Sequence, residues 1–313
     1  MDSVPYDFIE RTILLAGPPN RSPFATLRGH WGRYTKVLED ETEHIHLYVD
    51  VHPDLQLSAR VKYHHDCRFN PAYYWAIPME LGMEDLAQKN HVNIARVIVS
   101  GESDVFMDPM AEMIDDVKKE MLMRLLRHSN GLTTLDLFTL PKDVPTLTDL
   151  LEAIPRVENI MLGGLMTVED VSFALSLMKN HVQRGCLKGL CFGMPISRAY
   201  FPLVRVFLEE TEFHLFLGKV TSEDEDFAKE VILLIMASLM RRKQRFQNSE
   251  VVMRGSPRVL DVLKKEIRKV EESWSGKFAM PGVERGCSLV VSIQKRTNSP
   301  SVFCRTTVLS FSR

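Results

Sequence analysis

The sequence predicts an α/β fold: short helices at the N-terminus, irregular strand–helix repeats through the middle, and a terminal β-hairpin. Three observations predict it. Between residues 110 and 217, amphipathic segments of helical period alternate with short apolar runs. From His44 to Tyr63, apolar and polar residues alternate with the period of two that belongs to strands. At the far end, two β-like runs flank Thr297-Asn298-Ser299-Pro300, a turn signal.

Each element follows in order. Pro5 suits a first helical position, and Val4, Phe8, Ile9 and Ile13 recur at helical spacing. Ala16 to Pro23 is a loop, because adjacent prolines and a glycine stop a helix. A second amphipathic segment is predicted from Phe24 to Leu38, with Phe24, Leu27, Trp31, Tyr34 and Leu38 on one face. Two short helices bury little alone, so a unit over residues 1–42 is expected to dock on a neighbour or a partner. Residues 43–313 then form an irregular α/β repeat-like domain that binds a substrate or partner. His44–Val51 and Leu55–Tyr63 read as a hairpin across Pro53-Asp54, and Ile94–Ser100 as another strand. Cys67–Gly82 is aromatic-rich and has no clear period.

Four helix-then-strand steps follow: Met110–His128 with Leu132–Phe138, Leu147–Ile154 with Val157–Leu162, Val168–Val182 with Leu187–Phe192, and Ala199–Glu209 with Phe213–Leu217. The strand centres Leu135, Ile160, Leu190 and Leu215 lie 25 to 30 positions apart. That spacing is near the repeat of leucine-rich repeats, without their N/C-x-L consensus. Two architectures meet it: a leucine-rich-repeat-like curved solenoid, or an ordinary parallel sheet. Glu223–Arg245 reads as a helix capped by Thr221 or Ser222, acidic at its start and basic (Arg241, Arg242, Lys243, Arg245) at its end. Pro257–Trp274 is a further amphipathic helix, and Cys287–Gln294 with Val302–Phe311 make the closing hairpin.

Composition narrows the function classes. The 313 residues are 45% hydrophobic and 26% charged with a net charge of −2, so no global field draws the chain to nucleic acid or an anionic membrane. The longest apolar run, Val231–Met240, falls short of the ~20 residues a bilayer span requires. Asp2, Asp7 and Glu10 stand where a signal peptide carries basic residues. Five scattered cysteines form no disulfide framework, and a reducing cytoplasm or nucleus fits them. No nucleic-acid or membrane partner is expected.

No catalytic constellation emerges. His44, His46 and Asp50 share a strand face, with His52 near and His64-His65-Asp66-Cys67 following, so a histidine-cluster metal site is one reading. A solvated strand face is the other, since no C-x-x-C or H-E-x-x-H spacing occurs. No G-x-S-x-G is present, and Gly17–Ser22 lacks the Gly-Lys-Ser/Thr ending of a phosphate loop. Gly163-Gly164 is half of a dinucleotide fingerprint, which a tight turn also explains. Cys186 and Cys191 are spaced wrongly for a redox pair and read as buried structural thiols. The expectation is a protein without catalytic residues or cofactor.

One resemblance adds to this. Met1-Asp2-Ser3-Val4-Pro5-Tyr6-Asp7-Phe8-Ile9-Glu10, followed by Leu27-Arg28-Gly29-His30-Trp31-Gly32, resembles a divergent F-box, which opens on an apolar residue and Pro and ends in a helix containing Trp. The opening is similar to that of the large lineage-expanded (nematode-type) F-box-like families. The resemblance covers residues 1–42 by motif; the Leu-rich middle of an F-box is replaced here by the Pro/Gly loop. It implies a substrate adaptor of an SCF-type ubiquitin ligase, with Val4, Pro5, Phe8, Ile9, Leu27 and Trp31 facing a Skp-type adaptor and the body holding a protein target. The alternatives are a general interaction protein whose apolar stripe packs on its own body, and a histidine-cluster metal protein.

Overall fold

The structure, a computed structural model, describes residues 4–16, 22–63, 82–89, 91–101, 111–139, 141, 144–163, 170–220, 224–244, 249–254, 287–296 and 299–308. Two compact units divide the chain, Met1–Glu158 and Asn159–Arg313.

The first unit opens with α1 (Tyr6–Ala16), α2 (Ser22–Ala25) and α3 (His30–Glu41). The Pro5 carbonyl accepts from the Phe8 and Ile9 amides, which seats proline just ahead of the first turn. Ile9, Ile13 and Leu38 form a small core, with Val4, Leu14, Phe24, Trp31 and Tyr34 packed around it. Each of the three wholly buried side chains contributes about 1.5–3 kcal/mol. The segment Phe24–Leu38 is not one helix, as its period predicts. It breaks between α2 and α3 at Gly29, whose φ of 75° lies in the left-handed region.

β1 (Glu43–Val51) and β2 (Leu57–Tyr63) form the antiparallel hairpin that their alternation predicts. After α4 (Met83–Ala87), β3 (Val92–Gly101) runs parallel to β1 on the side away from β2. β4 (Glu112–Met113) pairs with β2, so the helix predicted from Met110 starts only at α5 (Asp116–Arg127). Asp115 caps α5, accepting from the Lys118 amide at 2.8 Å. β5 (Thr133–Leu137) pairs parallel to β3, and α6 (Pro145–Ala153) follows. The strand order within this unit is β5-β3-β1-β2-β4.

β6 (Val157–Leu162) begins at the end of the first unit, and the second unit carries α7 (Asp170–Gln183), β7 (Gly189–Phe192), a 3-10 turn (Arg198–Tyr200), α8 (Phe201–Glu210), β8 (Leu215–Lys219) and α9 (Glu225–Gln244). β9 (Ser249–Arg254), which the sequence reading does not predict, lies parallel to β8. β10 (Cys287–Arg296) and β11 (Ser299–Val308) complete the predicted terminal hairpin, antiparallel to each other, with β10 antiparallel to β9. The order is β6-β7-β8-β9-β10-β11. Thr221, Ser222, Gly164 and the helix predicted over 257–274 lie outside the described residues. The observed cap of α9 is Asp224, which accepts from the Phe227 amide at 2.9 Å and also binds Arg198 Nε at 2.9 Å.

The fold is therefore mixed α/β with a mostly parallel sheet, not the curved solenoid. The Asn or Cys that turns each leucine-rich repeat is missing, and α7 and α8, of 14 and 10 residues, are full crossover helices. In the second unit each parallel strand pairs with its successor on the same side, so right-handed crossovers place α7, α8 and α9 on one face. α7 packs on α8 and α8 on α9 accordingly. Between them and the strands sit Phe192, Phe207, Phe213 and Phe216, with Phe207 and Phe213 ring centres 5.3 Å apart.

Candidate functional site

Two surfaces stand out, both in the first unit. The first is on the N-terminal helices. The six residues singled out by the F-box resemblance divide there. Ile9 is 2% exposed inside the small core, and Val4 and Trp31 are half-buried against it. Trp31 stacks on Phe24 with ring centres 5.6 Å apart and planes 11° apart. Phe8 is 58% exposed, Leu27 is 37% exposed, and Pro5, close before Phe8 in sequence, is exposed as well. At Gly32 the backbone comes so close to the Leu27 carbonyl that a Cβ would fall on it. That close approach fixes the turn presenting Leu27. Arg156 Nη1 donates to the Leu14 carbonyl at 3.0 Å and ties α1 to the segment entering β6.

The second surface is one face of the sheet. Along β1, Ile45, Leu47, Val49 and Val51 are buried on one side, while His46, Tyr48 and Asp50 are half-buried on the other. In register, His46 lies between Lys62 and Arg96, Tyr48 between Arg60 and Ile98, and Asp50 between Ser58 and Ser100. The Arg60 guanidinium sits 4.9 Å from the Tyr48 ring centre and the Lys62 ammonium 5.8 Å from it. Arg96 Nη2 donates to Asp136 Oδ2 at 2.5 Å across β3 and β5. Burial pushes the Asp136 carboxyl above its ordinary range, and the Arg96 guanidinium opposes that rise.

The histidines that raise a metal reading turn to separate partners. His44 Nδ1 meets Asn93 Nδ2 at 2.9 Å, His52 Nε2 meets Ser58 Oγ at 2.9 Å, and Asp50 Oδ1 accepts from Ser100 Oγ at 2.6 Å. Among the described residues no group of three His, Cys, Asp or Glu side chains is placed to hold a metal ion. His64, His65, Asp66 and Cys67 lie outside them. Ser58 is 2% exposed, so its contact with His52 offers no nucleophile to a substrate. Cys186 and Cys191, expected to be buried, are each half-buried, and neither is in a disulfide.

Sequence reasoning found the polar parity of β1 and its hairpin with β2 but missed the pairing of β1 with β3 and of β3 with β5. Strand pairing across 35 or more residues leaves no local signal, and Arg96 and Asp136 each look like an ordinary polar position in an alternating strand.

These features define an α/β protein with one half-buried cation–aromatic sheet face and exposed apolar side chains on its N-terminal helical segment. Neither a scan against protein-family models nor a search of curated proteins returns a match. No helix among the described residues is long and apolar enough to cross a membrane.

Proposed function

We propose that this chain is a non-catalytic interaction subunit, the substrate adaptor of an SCF-type ubiquitin ligase, acting in the cytoplasm or nucleus. Its N-terminal helices bind a Skp-type adaptor through Phe8, Leu27 and Pro5, and its body holds a protein target. Ile9, Val4 and Trp31 build the small core behind that face. The activity is proximity alone: a target is positioned beside a transferase carried elsewhere.

The observation that carries this reading is where apolar surface is left uncovered. Of the nine large hydrophobic side chains exposed among the described residues, three (Tyr6, Phe8 and Val37) belong to α1 and α3 and a fourth, Leu27, to the turn between α2 and α3. Exposed apolar side chains concentrated on one small unit mark a docking surface. The polar sheet face around Tyr48, Arg60 and Arg96 supports target binding, since Tyr and Arg are the residues interfaces favour.

The test is capture of purified Skp-type adaptor by the full-length chain. Binding at micromolar concentration that is lost in Phe8→Asp/Leu27→Asp supports the proposal, and absence of binding by the unaltered chain overturns it. A second reading, an interaction protein without ligase association, is favoured by the inward packing of Trp31. It predicts no adaptor capture together with a Trp31 emission already shielded in the isolated chain.

A further inference from the structure

Helix α5 carries four cations, and the fold treats them in two ways. Lys118 Nζ pairs with Glu112 Oε2 at 2.7 Å and Lys119 Nζ with Asp149 Oδ2 at 2.6 Å, so the first half of the helix is neutralised from within. Arg124 and Arg127, both exposed on the second half, have no acidic partner among the described residues. The two arginines line a cleft of about 450 Å³ together with His128, Met121, Glu120 and Ala87.

The helix dipole accounts for basic residues at the end of α5, but not for a cleft between them and α4. The volume lies within the range of pockets that receive a few side chains. Two guanidinium groups supply paired donors whose geometry matches carboxylates. Met121 and Ala87 give the cleft an apolar floor that adapts to an aliphatic neighbour. The acidic groups facing Lys118 (Glu112, Asp115 and Glu84) lie toward the other end of α5, leaving Glu120 as the acid on the cleft itself.

We infer that the α4–α5 cleft is a recognition site for an acidic peptide segment, in which carboxylates bind Arg124 and Arg127 and an adjacent aliphatic side chain rests on Met121 and Ala87. The inference deepens the proposed function by naming the chemistry of the target, and it rests on that reading only for the identity of the bound molecule as a target.

The experiment uses the full chain and a short fluorescein-labelled peptide of alternating Glu and Leu, with a Gln-for-Glu peptide as control. Fluorescence anisotropy is expected to show binding of the Glu peptide alone, weakened about tenfold by Arg124→Ala and again by Arg127→Ala. Both arginines are exposed, so the double variant is expected to keep its thermal midpoint, and a retained midpoint identifies lost binding as a site effect. Equal affinity of the double variant, binding of the Gln peptide, or no binding by the unaltered chain would overturn the inference. Adaptor capture by Arg124→Ala/Arg127→Ala is expected to match that of the unaltered chain, which separates failure here from failure of the ligase reading.

Discussion

Arg96 and Asp136 form an ion pair of unequal burial: the Arg96 side chain is 39% exposed while that of Asp136 is 3% exposed, with their charged atoms 2.5 Å apart. The asymmetry decides what each partner is worth. Removing Asp136 leaves a guanidinium that can rehydrate, whereas removing Arg96 strands a carboxylate in the sheet. Asp136→Asn is therefore expected to cost about 1 kcal/mol and Arg96→Met about 3 kcal/mol at neutral pH. Urea unfolding of the two variants checks the order.

The same pair gives a pH test. The folded Asp136 carboxyl already lies above its ordinary value of 3.8 through burial, and Arg96→Met removes the group that opposes the rise. A carboxyl raised in the folded state binds more protons there than in the unfolded chain. Its contribution is thus complete on the acid side and is lost as pH rises through the folded value. Arg96→Met is expected to recover part of its deficit on mild acidification. A deficit independent of pH would show that lost packing, not a stranded charge, is responsible.

His181 poses the opposite case. It is 1% exposed, and neither ring nitrogen has a hydrogen-bond partner among the described residues. Burial, helped by the nearby Arg184 charge, lowers its pKa to about 4 from 6.5. Between those values the unfolded chain takes up a proton that the folded chain refuses, so stability falls as pH falls. The loss from neutral pH to below the folded value is about 3 kcal/mol. His181→Leu is expected to flatten this dependence, as thermal midpoints across the range would reveal. It also gains about 1–2 kcal/mol at neutral pH by removing two unpaired ring nitrogens.

Gly131 packs directly against the side-chain amide of Asn93, which is 3% exposed and bound to His44 at 2.9 Å. A methyl at position 131 must displace that amide. Gly131→Ala is expected to cost about 1–3 kcal/mol. In an Asn93→Ala background the same change should cost much less, because the obstructing group is gone. Additive costs in the double variant would refute the steric account.

On the N-terminal helices, burial predicts two outcomes from similar changes. Ile9→Asp, at 2% exposure, places a charge in a three-residue core and is expected to melt α1–α3 at a cost above about 3 kcal/mol. Phe8→Asp, at 58% exposure, should leave helix content unchanged by circular dichroism.

Much of this architecture was legible in the chain. β6 spans the residues its apolar run predicts, and β5, β7 and β8 lie within two residues of their predicted starts, because short apolar runs between amphipathic helices are a strong local signal. β9 was not, since Ser249–Arg254 is a short run that carries only three apolar residues. The break at Gly29 escaped because the apolar positions on either side keep helical spacing through it. Of the candidate surfaces, the apolar anchors were visible as a stripe, but which of them turn inward depends on a core assembled from helices some 25 residues apart. The α4–α5 cleft left no pattern, because its lining comes from two helices, and which cations of α5 find acidic partners among the described residues depends on β4 and α6.

The order of strands in the second unit bears on how the chain is made. β7, β8 and β9 each join the strand that precedes them, so every helix-and-strand step finds its template already in place as synthesis proceeds. Among the described strands of this unit, none waits for a later one to be inserted beside it, which keeps each pairing local in sequence and limits the traps that threading would create. Growth leaves a bare parallel edge at every stage, and the β10–β11 hairpin, emerging after β9, ends that exposure for β9 by reversing the chain against it.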